Sequence, residues 1–388
     1  MAQLVLPRGD RTLETYIVDR ASPFAATSAE AFPRIVYAAA HVVADPLHSE
    51  PAAQGRPQVD WEATLAFRRH LWGLGFKIAE AMDTAQRGMG FDWAHAQELI
   101  ARSLGEARHV PGADLACGAG TDHLAPFEAK SLEDVIRAYE TQAEFVEAHG
   151  GRVILMASRA LAALARGPED YFKVYSRVLS GCSNKVILHW LGDMFDPALK
   201  GYWGSTDVAK ATESCLAIIA AHADRIDGIK ISLLEARHEI EMRRRLPSAV
   251  VMYTGDDFNY AELMAGDALG HSHGLLGIFD AIAPAAAAAP GRLGAGDIAG
   301  YNAILAPTIA LSRKIFEAPT QHYKAGIVFL AWLNGFQQHF VMAGGMQSAR
   351  GILHYSDVFR LAHEARLLTD PDRAAGRMQH LCALNGIS

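Results

Sequence analysis

The segment DGIKIS, residues 227–232, is a short apolar run that contains a single lysine, Lys230. On both sides lie stretches whose apolar residues recur every three or four positions, which is the period of an amphipathic helix. Seven further apolar runs alternate with such stretches: RIVYAAAH (34–41), FKIAEAMD (76–83), DLACGAG (114–120), RVILMAS (152–158), KVILHW (185–190), AVVMYTG (249–255) and GLLGIFD (274–280). Apolar strands that alternate with helices form a parallel sheet covered on both faces. Eight such units predict an α/β protein built on a closed TIM (β/α)8 barrel.

The remainder of the chain defines the domain organisation. Residues 1–33 show no strong period and predict a lead-in of short or irregular structure, residues 34–290 form the barrel, and residues 291–388 read as a helical region packed on it. Aromatic residues of that region such as Trp332 and Phe336, taken as exposed, either cover the barrel or contact another subunit. An open doubly wound sheet is the alternative fold, but no glycine-rich dinucleotide fingerprint follows the first run.

Composition limits the classes of partner. The 388 residues carry a formal charge of −7, with acidic and basic residues interspersed and no Lys/Arg tract with interleaved aromatics, so we expect no nucleic-acid partner. No uncharged apolar segment approaches the ~20 residues of a membrane helix. The N-terminus lacks the pattern of a secretion signal, and the four cysteines contain no C-x-x-C pair. We therefore predict a cytoplasmic protein that acts on a small molecule.

Polar residues cluster where the predicted strands end, and a barrel places its reactive groups at that face. They are His41, Asp83, Asp122, His123, Arg159, His189, Lys230, Asp256, Asp257 and Asp280. Lys230 lies between Ile229 and Ile231, whose side chains point to the opposite face of the strand, so the Lys230 side chain should point into the barrel. Burial lowers the pKa of a lysine, and a neutral amine condenses with a ketone to form an iminium. The structural alternative is a salt bridge from Lys230 to Asp83 or Asp256.

Three short motifs carry a family resemblance. GIK (228–230), TGDD (254–257) and GLLG (274–277) are similar, in order and spacing, to motifs of the dihydrodipicolinate synthase and N-acetylneuraminate lyase superfamily. The segments ACGAGTDHLAP (116–126), RVILMASRALAALARGPEDYFKVYSRVL (152–179) and KVILHWLGDMFDP (185–197) resemble that superfamily's third, fourth and fifth strands more loosely. The resemblance extends over roughly residues 34–350 and indicates a divergent, dihydrodipicolinate synthase-like branch.

The resemblance implies site residues, with departures from the family pattern. Lys230 takes the place of the Schiff-base lysine, and His189 replaces the family's proton-relay tyrosine. Asp83 and Thr84 stand in the loop after the second strand, and Ser158 and Arg159 replace a P-Y-Y motif. The implied catalytic set is Lys230, His189, Asp83 and Thr84, and the implied substrate-binding set is Asp122, His123, Arg159, Asp256, Gly277 and Asp280. An imidazole that titrates near neutral pH suits proton transfer, and an arginine fork suits an anionic group.

These observations predict a class I, Schiff-base aldolase or lyase that breaks a carbon–carbon or carbon–oxygen bond. The substrate would be a hydroxylated 2-oxo acid or a keto-sugar derivative, as in carbohydrate catabolism, with no cofactor and no metal. The resemblance also implies a homodimer or homotetramer. One alternative is a metal-dependent sugar isomerase or epimerase whose divalent cation is held by His41, Asp83, Asp122, His123, His189 and Asp256. The other is a non-catalytic barrel that binds a metabolite.

Overall fold

The computed structural model describes residues 2–19, 24, 32–47 and 58–387, and its centre is a closed barrel of eight parallel strands. A two-stranded hairpin precedes it: β1 (Ala2–Pro7) and β2 (Leu13–Val18). The barrel strands are β3 (Val36–Ala39), β4 (Lys77–Glu80), β5 (Leu115–Ala119), β6 (Arg152–Leu155), β7 (Val186–Leu191), β8 (Ile226–Ser232), β9 (Val251–Thr254) and β10 (His273–Leu276). The strands pair in chain order, and β10 pairs with β3 to close the barrel. Each of the eight predicted runs contains or overlaps one strand, which confirms the TIM barrel.

Helices cover the outside of the barrel and continue beyond it. Those of the barrel are α1 (Trp61–Gly73), α2 (Trp93–Ala107), α3 (Leu132–Ala148), α4 (Arg159–Leu164), α5 (Pro168–Gly181), α6 (Val208–Ala221), α7 (Ala236–Arg243), α8 (Tyr260–Ala265) and α9 (Ile278–Ala281). The C-terminal helices are α10 (Ala283–Gly294), α11 (Ile298–Ile315), α12 (Tyr323–Leu333), α13 (Ile352–Glu364) and α14 (Pro371–Leu384). None of the helices in these described ranges combines the length and apolarity needed to cross a membrane.

Local sequence explains where helix α3 begins. Ser131 accepts a hydrogen bond from the backbone N–H of Asp134, and the Asp134 carboxylate accepts one from the backbone N–H of Ser131. This reciprocal capping box satisfies two donors that a helix start would otherwise leave unpaired. It fixes the start of α3, from which Gln142 reaches the carboxyl end of β5 and accepts a hydrogen bond from the backbone N–H of Gly120.

The barrel interior is filled by alternate residues of each strand, as period-two side-chain alternation requires. The inner cluster comprises Tyr37, Ala39, Ala79, Met82, Ala116, Ile154, Ile187, Tyr253 and Leu275. Gly228 of β8 has the same parity as Lys230 but carries no side chain. An ideal Cβ there would lie 2.6 Å from Cε2 of Tyr253. The glycine of the GIK motif therefore makes room for a tyrosine that fills the layer below Lys230.

The N-terminal hairpin, in the segment for which the sequence predicts only a lead-in, packs on the C-terminal helices. β1 and β2 pair antiparallel from Ala2 opposite Val18 to Pro7 opposite Leu13. Arg360 of α13 donates to Oε1 of Glu14 at 2.7 Å and to the carbonyl of Pro7 at 2.8 Å. These hydrogen bonds attach the N-terminal hairpin to the C-terminal helix α13. The parts of residues 20–31 other than Phe24 lie outside the described residues.

The C-terminal region reaches the carboxyl end of the barrel through α12, whose residues are all buried. Its first residue, Tyr323, contacts Thr84 after β4 and Phe195 after β7, and an ideal Cβ on Gly277 after β10 would lie 3.1 Å from its ring. Trp332 is buried, contrary to the expectation of an exposed aromatic, and it stacks on Phe340. α12 thus lies over the reactive end of the barrel.

Candidate active site

Lys230 and His189 are neighbours on the inner face of the barrel. The two residues are paired in the register between β7 and β8, and in a parallel pair such partners project to the same side. His189 shares its parity with Ile187, which belongs to the inner cluster. Lys230 is 7% exposed and His189 is 1% exposed. The structure therefore places both side chains where the strand alternation predicts them.

The Lys230 side chain has no carboxylate within ion-pair distance among the described residues, so the alternative of a salt bridge to Asp83 or Asp256 is not formed. Burial lowers the pKa of Lys230, and the charges of Asp257 and Asp83 oppose that shift without cancelling it. Asp256 instead accepts hydrogen bonds from the backbone N–H groups of Phe258 and Asn259, at the start of α8. A lysine in this setting gives up its proton more readily than one in water.

Gly255, directly after β9, provides the space through which the Lys230 side chain passes. An ideal Cβ at this position would lie 2.6 Å from Cε of Lys230, 2.2 Å from Oγ of Ser232 and 2.8 Å from the carbonyl oxygen of Ile231. The last of these atoms belongs to the backbone and cannot move aside. The glycine of the TGDD motif is therefore required by the position of the lysine.

We expect Gly255→Ala to displace the Lys230 amine by about 1 Å and so to slow by about 10²-fold any reaction that depends on that amine. Gly73→Ala is the matched control, since an ideal Cβ on Gly73 has no neighbour within 4 Å. Both variants should unfold cooperatively in thermal melts. Equal activity of Gly255→Ala and the wild type would contradict this placement of Lys230.

His189 is a neutral imidazole in this structure, which differs from the expectation of an imidazole that titrates near neutral pH. Burial, and next the charge of Lys230, hold the pKa of His189 well below its ordinary value. Its Nε2 atom lies 3.3 Å from Oγ of Ser232, and its Nδ1 atom has no hydrogen-bond partner among the described residues. An imidazole with so low a pKa favours its neutral form, which has one N–H donor and one acceptor nitrogen, so His189 can accept or relay a proton.

Asp257 is the acid whose pKa lies near neutrality. Burial raises its pKa to about 7, although the backbone N–H of Ile278 donates to its Oδ1 at 2.9 Å and the charge of Lys230 acts in the opposite direction. Its place in the TGDD motif at the end of β9 explains its position beside the lysine. The sequence marks Asp257 as a strand-end residue, but it does not distinguish this carboxylate from Asp256.

Thr84 and Tyr323 form a hydrogen-bonded pair beside Gly277 at the carboxyl end of the barrel. Oγ1 of Thr84 lies 2.8 Å from the hydroxyl of Tyr323. Burial, and then the charge of Asp83, raises the pKa of Tyr323 well above its ordinary value, so the phenol is neutral. Sequence reasoning missed Tyr323 because it lies 93 positions beyond Lys230 in a region predicted only to pack on the barrel.

A cavity of about 480 Å³ opens beside His189 and Asp83, whereas Lys230, Asp257, Thr84 and Tyr323 are not part of its lining. Its lining comes from the segments after β4, β5, β6 and β7 and includes Asp83, Arg87, Gly88, Thr121, Asp122, Met156, Arg159, His189 and Asp196. The volume suits a small metabolite. His189 and Asp83 therefore line the same cavity as a set of polar groups on the β4–β6 side of the barrel.

Asp122 and His123 belong to a network around a buried arginine that the sequence did not single out. Arg87 donates to both carboxylate oxygens of Asp122, at 3.0 and 2.7 Å. Burial alone would raise the pKa of Asp122, but the charge and hydrogen bonds of Arg87 outweigh it and lower that pKa to about 2. Gln142 donates to Asp122 and lies 2.7 Å from Nδ1 of His123. Asp122 is therefore a fixed, ionised hydrogen-bond acceptor in the cavity wall.

Arg159 and Ser158 lie at the end of β6. Nε of Arg159 donates to Oδ2 of Asp196 at 2.6 Å, and the Arg159 side chain is 49% exposed. Oγ of Ser158 lies 2.6 Å from Oγ1 of Thr121, which lines the cavity. Residues 157–160 (ASRA) thus place the Arg159 guanidinium in the cavity wall and the Ser158 hydroxyl against the hydroxyl of Thr121, which also lines the cavity.

Four of the predicted substrate-binding residues, His123, Asp256, Gly277 and Asp280, do not line this cavity. Oδ2 of Asp280 lies 2.7 Å from both the backbone nitrogen and Nδ1 of His41. Gly277 packs under Tyr323, and Asp256 is held at the start of α8. In the described part of the chain, no three His, Cys, Asp or Glu side chains converge closely enough to hold a metal ion.

Comparison with known proteins places the chain in a family. The model of the family described as "Protein of unknown function (DUF993)" matches residues 4–387, so the chain belongs to that family. No curated protein matches.

Several solved structures share the fold. A putative dihydrodipicolinate synthetase from Pseudomonas aeruginosa is 14% identical, with 83% of this chain and 99% of that chain covered and a TM-score of 0.58. Dihydrodipicolinate synthase from Cyanidioschyzon merolae, with lysine bound, is 15% identical over 87% and 99% of the two chains, with a TM-score of 0.62. The enzyme from Bacillus clausii is 11% identical over 84% and 96%, also with a TM-score of 0.62. The resemblance found in the sequence is confirmed at the level of the fold.

Proposed function

We propose that the protein is a Schiff-base lyase or aldolase in which Lys230 attacks the carbonyl carbon of a hydroxylated 2-oxo acid or keto-sugar derivative. The observation that carries this proposal is the position of Lys230: it is buried, directed into the barrel, without an ion pair among the described residues, and paired with His189, which lines a cavity of metabolite size. These conditions favour the free amine that imine formation needs. The dihydrodipicolinate synthase fold of the relatives supports the same class of chemistry.

The reaction begins with a new bond between Nζ of Lys230 and the carbonyl carbon. The carbonyl oxygen takes up a proton, and the carbinolamine then loses water to give an iminium. The bond between the third and fourth carbons breaks next, its electron pair enters an enamine, and the proton of the fourth carbon's hydroxyl passes to a base as an aldehyde forms. Protonation of the enamine carbon and hydrolysis of the iminium release the second product and restore the amine.

The surrounding groups supply the protons for these steps. Asp257, with a pKa of about 7, gives a proton to the departing water, and neutral His189 accepts one through its unpartnered Nδ1. The hydroxyls of Thr84 and Tyr323 form the hydrogen-bonded pair that can transfer a proton between the substrate oxygen and these groups. Asp122 and Arg159 line the same cavity as His189; Asp122 orients substrate hydroxyls and the Arg159 fork receives an anionic group.

Hydrogen–deuterium exchange tests the proposal without knowledge of the full substrate. Formation of the enamine makes the protons on the neighbouring carbon exchange with solvent. The protein in D₂O should therefore remove the methyl proton signal of pyruvate, or the proton signals of dihydroxyacetone, and the choice between these probes separates a 2-oxo acid from a keto-sugar substrate. Absence of exchange with every short 2-oxo acid and ketose tested would overturn the proposed function.

The pH dependence of Lys230 reactivity should respond to Asp257. The Asp257 carboxylate stabilises the ammonium form, so Asp257→Asn lowers the pKa of Lys230 further and increases the free amine at lower pH. We expect the acid limb of exchange to move to lower pH in this variant. Asp224→Asn is the control, since Asp224 is exposed and is not among the charges that act on Lys230 or on Asp257. An unmoved acid limb in Asp257→Asn would contradict the coupling.

Tyr323→Phe removes the hydroxyl that bonds Thr84 and keeps the buried ring. We expect a fall in exchange rate of about 10²-fold, the lower range for loss of a proton-transfer group. Thr84→Val should cost a similar factor, and the double variant should be no slower than either single one because the two hydroxyls act as a unit. Fully additive losses would show that the two hydroxyls act separately.

A further inference from the structure

A second lysine is buried near the same cavity and has no assigned role. Lys324, in the first turn of α12, is 5% exposed. Its Nζ atom lies 3.4 Å from the thioether sulfur of Met89 and 3.2 Å from the carbonyl oxygen of Gln321. It also lies 4.7 Å from the centre of the Tyr323 ring. In the described part of the chain, no carboxylate comes within ion-pair distance of it.

This environment is unfavourable for an ammonium group. A thioether is a weak acceptor, and an ammonium group has three donors to satisfy. A positive charge in the first turn of a helix also opposes the helix dipole. Burial lowers the pKa of Lys324, and Asp83 and Asp196 only partly oppose that shift. Asp83 acts on Lys230 as well, so one carboxylate serves two buried lysines.

The guanidinium of Arg159 is a second cationic group near Lys324, and some of its hydrogen-bond donors are unused by the residues that the structure describes. Its Nε is bound to Asp196, but no acceptor among the described residues lies within hydrogen-bond distance of Nη1 or Nη2. Both Nη atoms would lie 3.9 Å from an ideal Cβ on Gly88, the residue before Met89. Gly88 has a φ of +73°, a conformation that glycine adopts without strain. The loop after β4 therefore contacts Lys324 through Met89 and lies beside the Arg159 guanidinium at Gly88.

We infer that Lys324 and Arg159 form the binding site for a terminal oxyanion, a phosphate or a carboxylate, at the end of the substrate remote from its carbonyl. Met89 covers the lysine in the free protein, and its flexible side chain moves aside when the anion binds. The site lies on the β4–β6 side of the cavity, whereas Lys230 is on β8, which is why it receives the remote end. The inference rests on the proposed function and names its substrate class.

Binding of inorganic phosphate tests the inference without turnover. At constant ionic strength, millimolar phosphate should raise the melting temperature of the wild type in a saturable way, because a ligand of the native state stabilises it. Lys324→Met and Arg159→Gln should each weaken that binding about 10-fold or more, the range for a charge-assisted hydrogen bond. Lys173→Met removes an exposed lysine of α5 and should bind phosphate as the wild type does. Without phosphate, Lys324→Met should melt no lower than the wild type, since it replaces a buried unpaired charge by an apolar chain of similar length.

A matched series of substrates separates the two anions. 4-Hydroxy-2-oxo acids of equal length that end in CH₂OH, CH₂OPO₃²⁻ or COO⁻ should differ in kcat/KM, with one anionic end favoured about 10-fold or more and the preference lost in Lys324→Met. Phosphate stabilisation that does not saturate, or that persists in Lys324→Met, would overturn the inference. Failure of pyruvate and dihydroxyacetone exchange in the wild type would instead count against the proposed function, and the phosphate titration would still decide this site.

Discussion

Replacement of Lys230 by arginine should abolish exchange and cleavage although the positive charge is retained. A guanidinium stays protonated at all accessible pH values and is not a nucleophile. We expect the rate to fall on the order of 10³-fold or more, as for removal of an essential nucleophile. Lys230→Met should be equally inactive, because it keeps the length of the side chain and removes the nitrogen.

Comparison of Lys230→Arg with Lys230→Met distinguishes a chemical role of the lysine from a structural one. If Lys230 only balanced the charges of Asp83 and Asp257, arginine would retain most of the activity and methionine would lose it. Lys173→Arg, an exposed substitution on α5, controls for handling of the protein. Wild-type exchange in either Lys230 variant would remove the basis of the imine mechanism.

Arg68→Ala should lower the free energy of unfolding by about 3–5 kcal/mol, because it leaves a buried carboxylate without its partner. Arg68 of α1 and Glu80 of β4 are both 0% exposed and are joined by two hydrogen bonds, at 3.0 and 2.8 Å. Arg68 also donates to the carbonyl oxygens of His41 and Thr64. The pair fixes the end of β4 just before Asp83 and Thr84.

Chemical denaturation measures this loss, and two comparisons interpret it. Arg237→Ala breaks an exposed pair with Glu241 on one helix and should cost no more than about 0.5 kcal/mol. The double variant Arg68→Met, Glu80→Leu should recover much of the stability, since an apolar pair does not leave a buried charge. A cost for Arg68→Ala as small as that for Arg237→Ala would show that the buried pair does not hold β4.

The barrel was predictable because its signal is local and repeated. Each strand is an apolar run of a few residues, and the parity of Ile229, Lys230 and Ile231 fixes which side chain faces inward. The register between β7 and β8 then brings His189 beside Lys230, as expected for consecutive strands of a barrel. The N-terminal hairpin was missed because β2 alternates between exposed and partly buried residues and gains its packing from α13 and α14.

The upper part of the site was not predictable, because it depends on tertiary contacts. Tyr323 and Lys324 belong to a helix whose sequence reads as a packing segment, and only the fold brings them against the segments that follow β4, β7 and β10. The protonation states were also beyond the sequence. Whether His189 or Asp257 titrates near neutrality depends on burial and on the charge of Lys230, and both are set by the complete barrel.

Reductive trapping tests the central claim most directly. The wild type is incubated at neutral pH with the carbonyl compound that exchanges, reduced with sodium borohydride, digested and analysed by mass spectrometry. We predict a single secondary-amine adduct on the peptide that contains Lys230, formed in proportion to the loss of activity, with Lys324 and the exposed lysines unmodified. An unmodified Lys230 in a fully inactivated sample, or an adduct spread over surface lysines with activity intact, would contradict it.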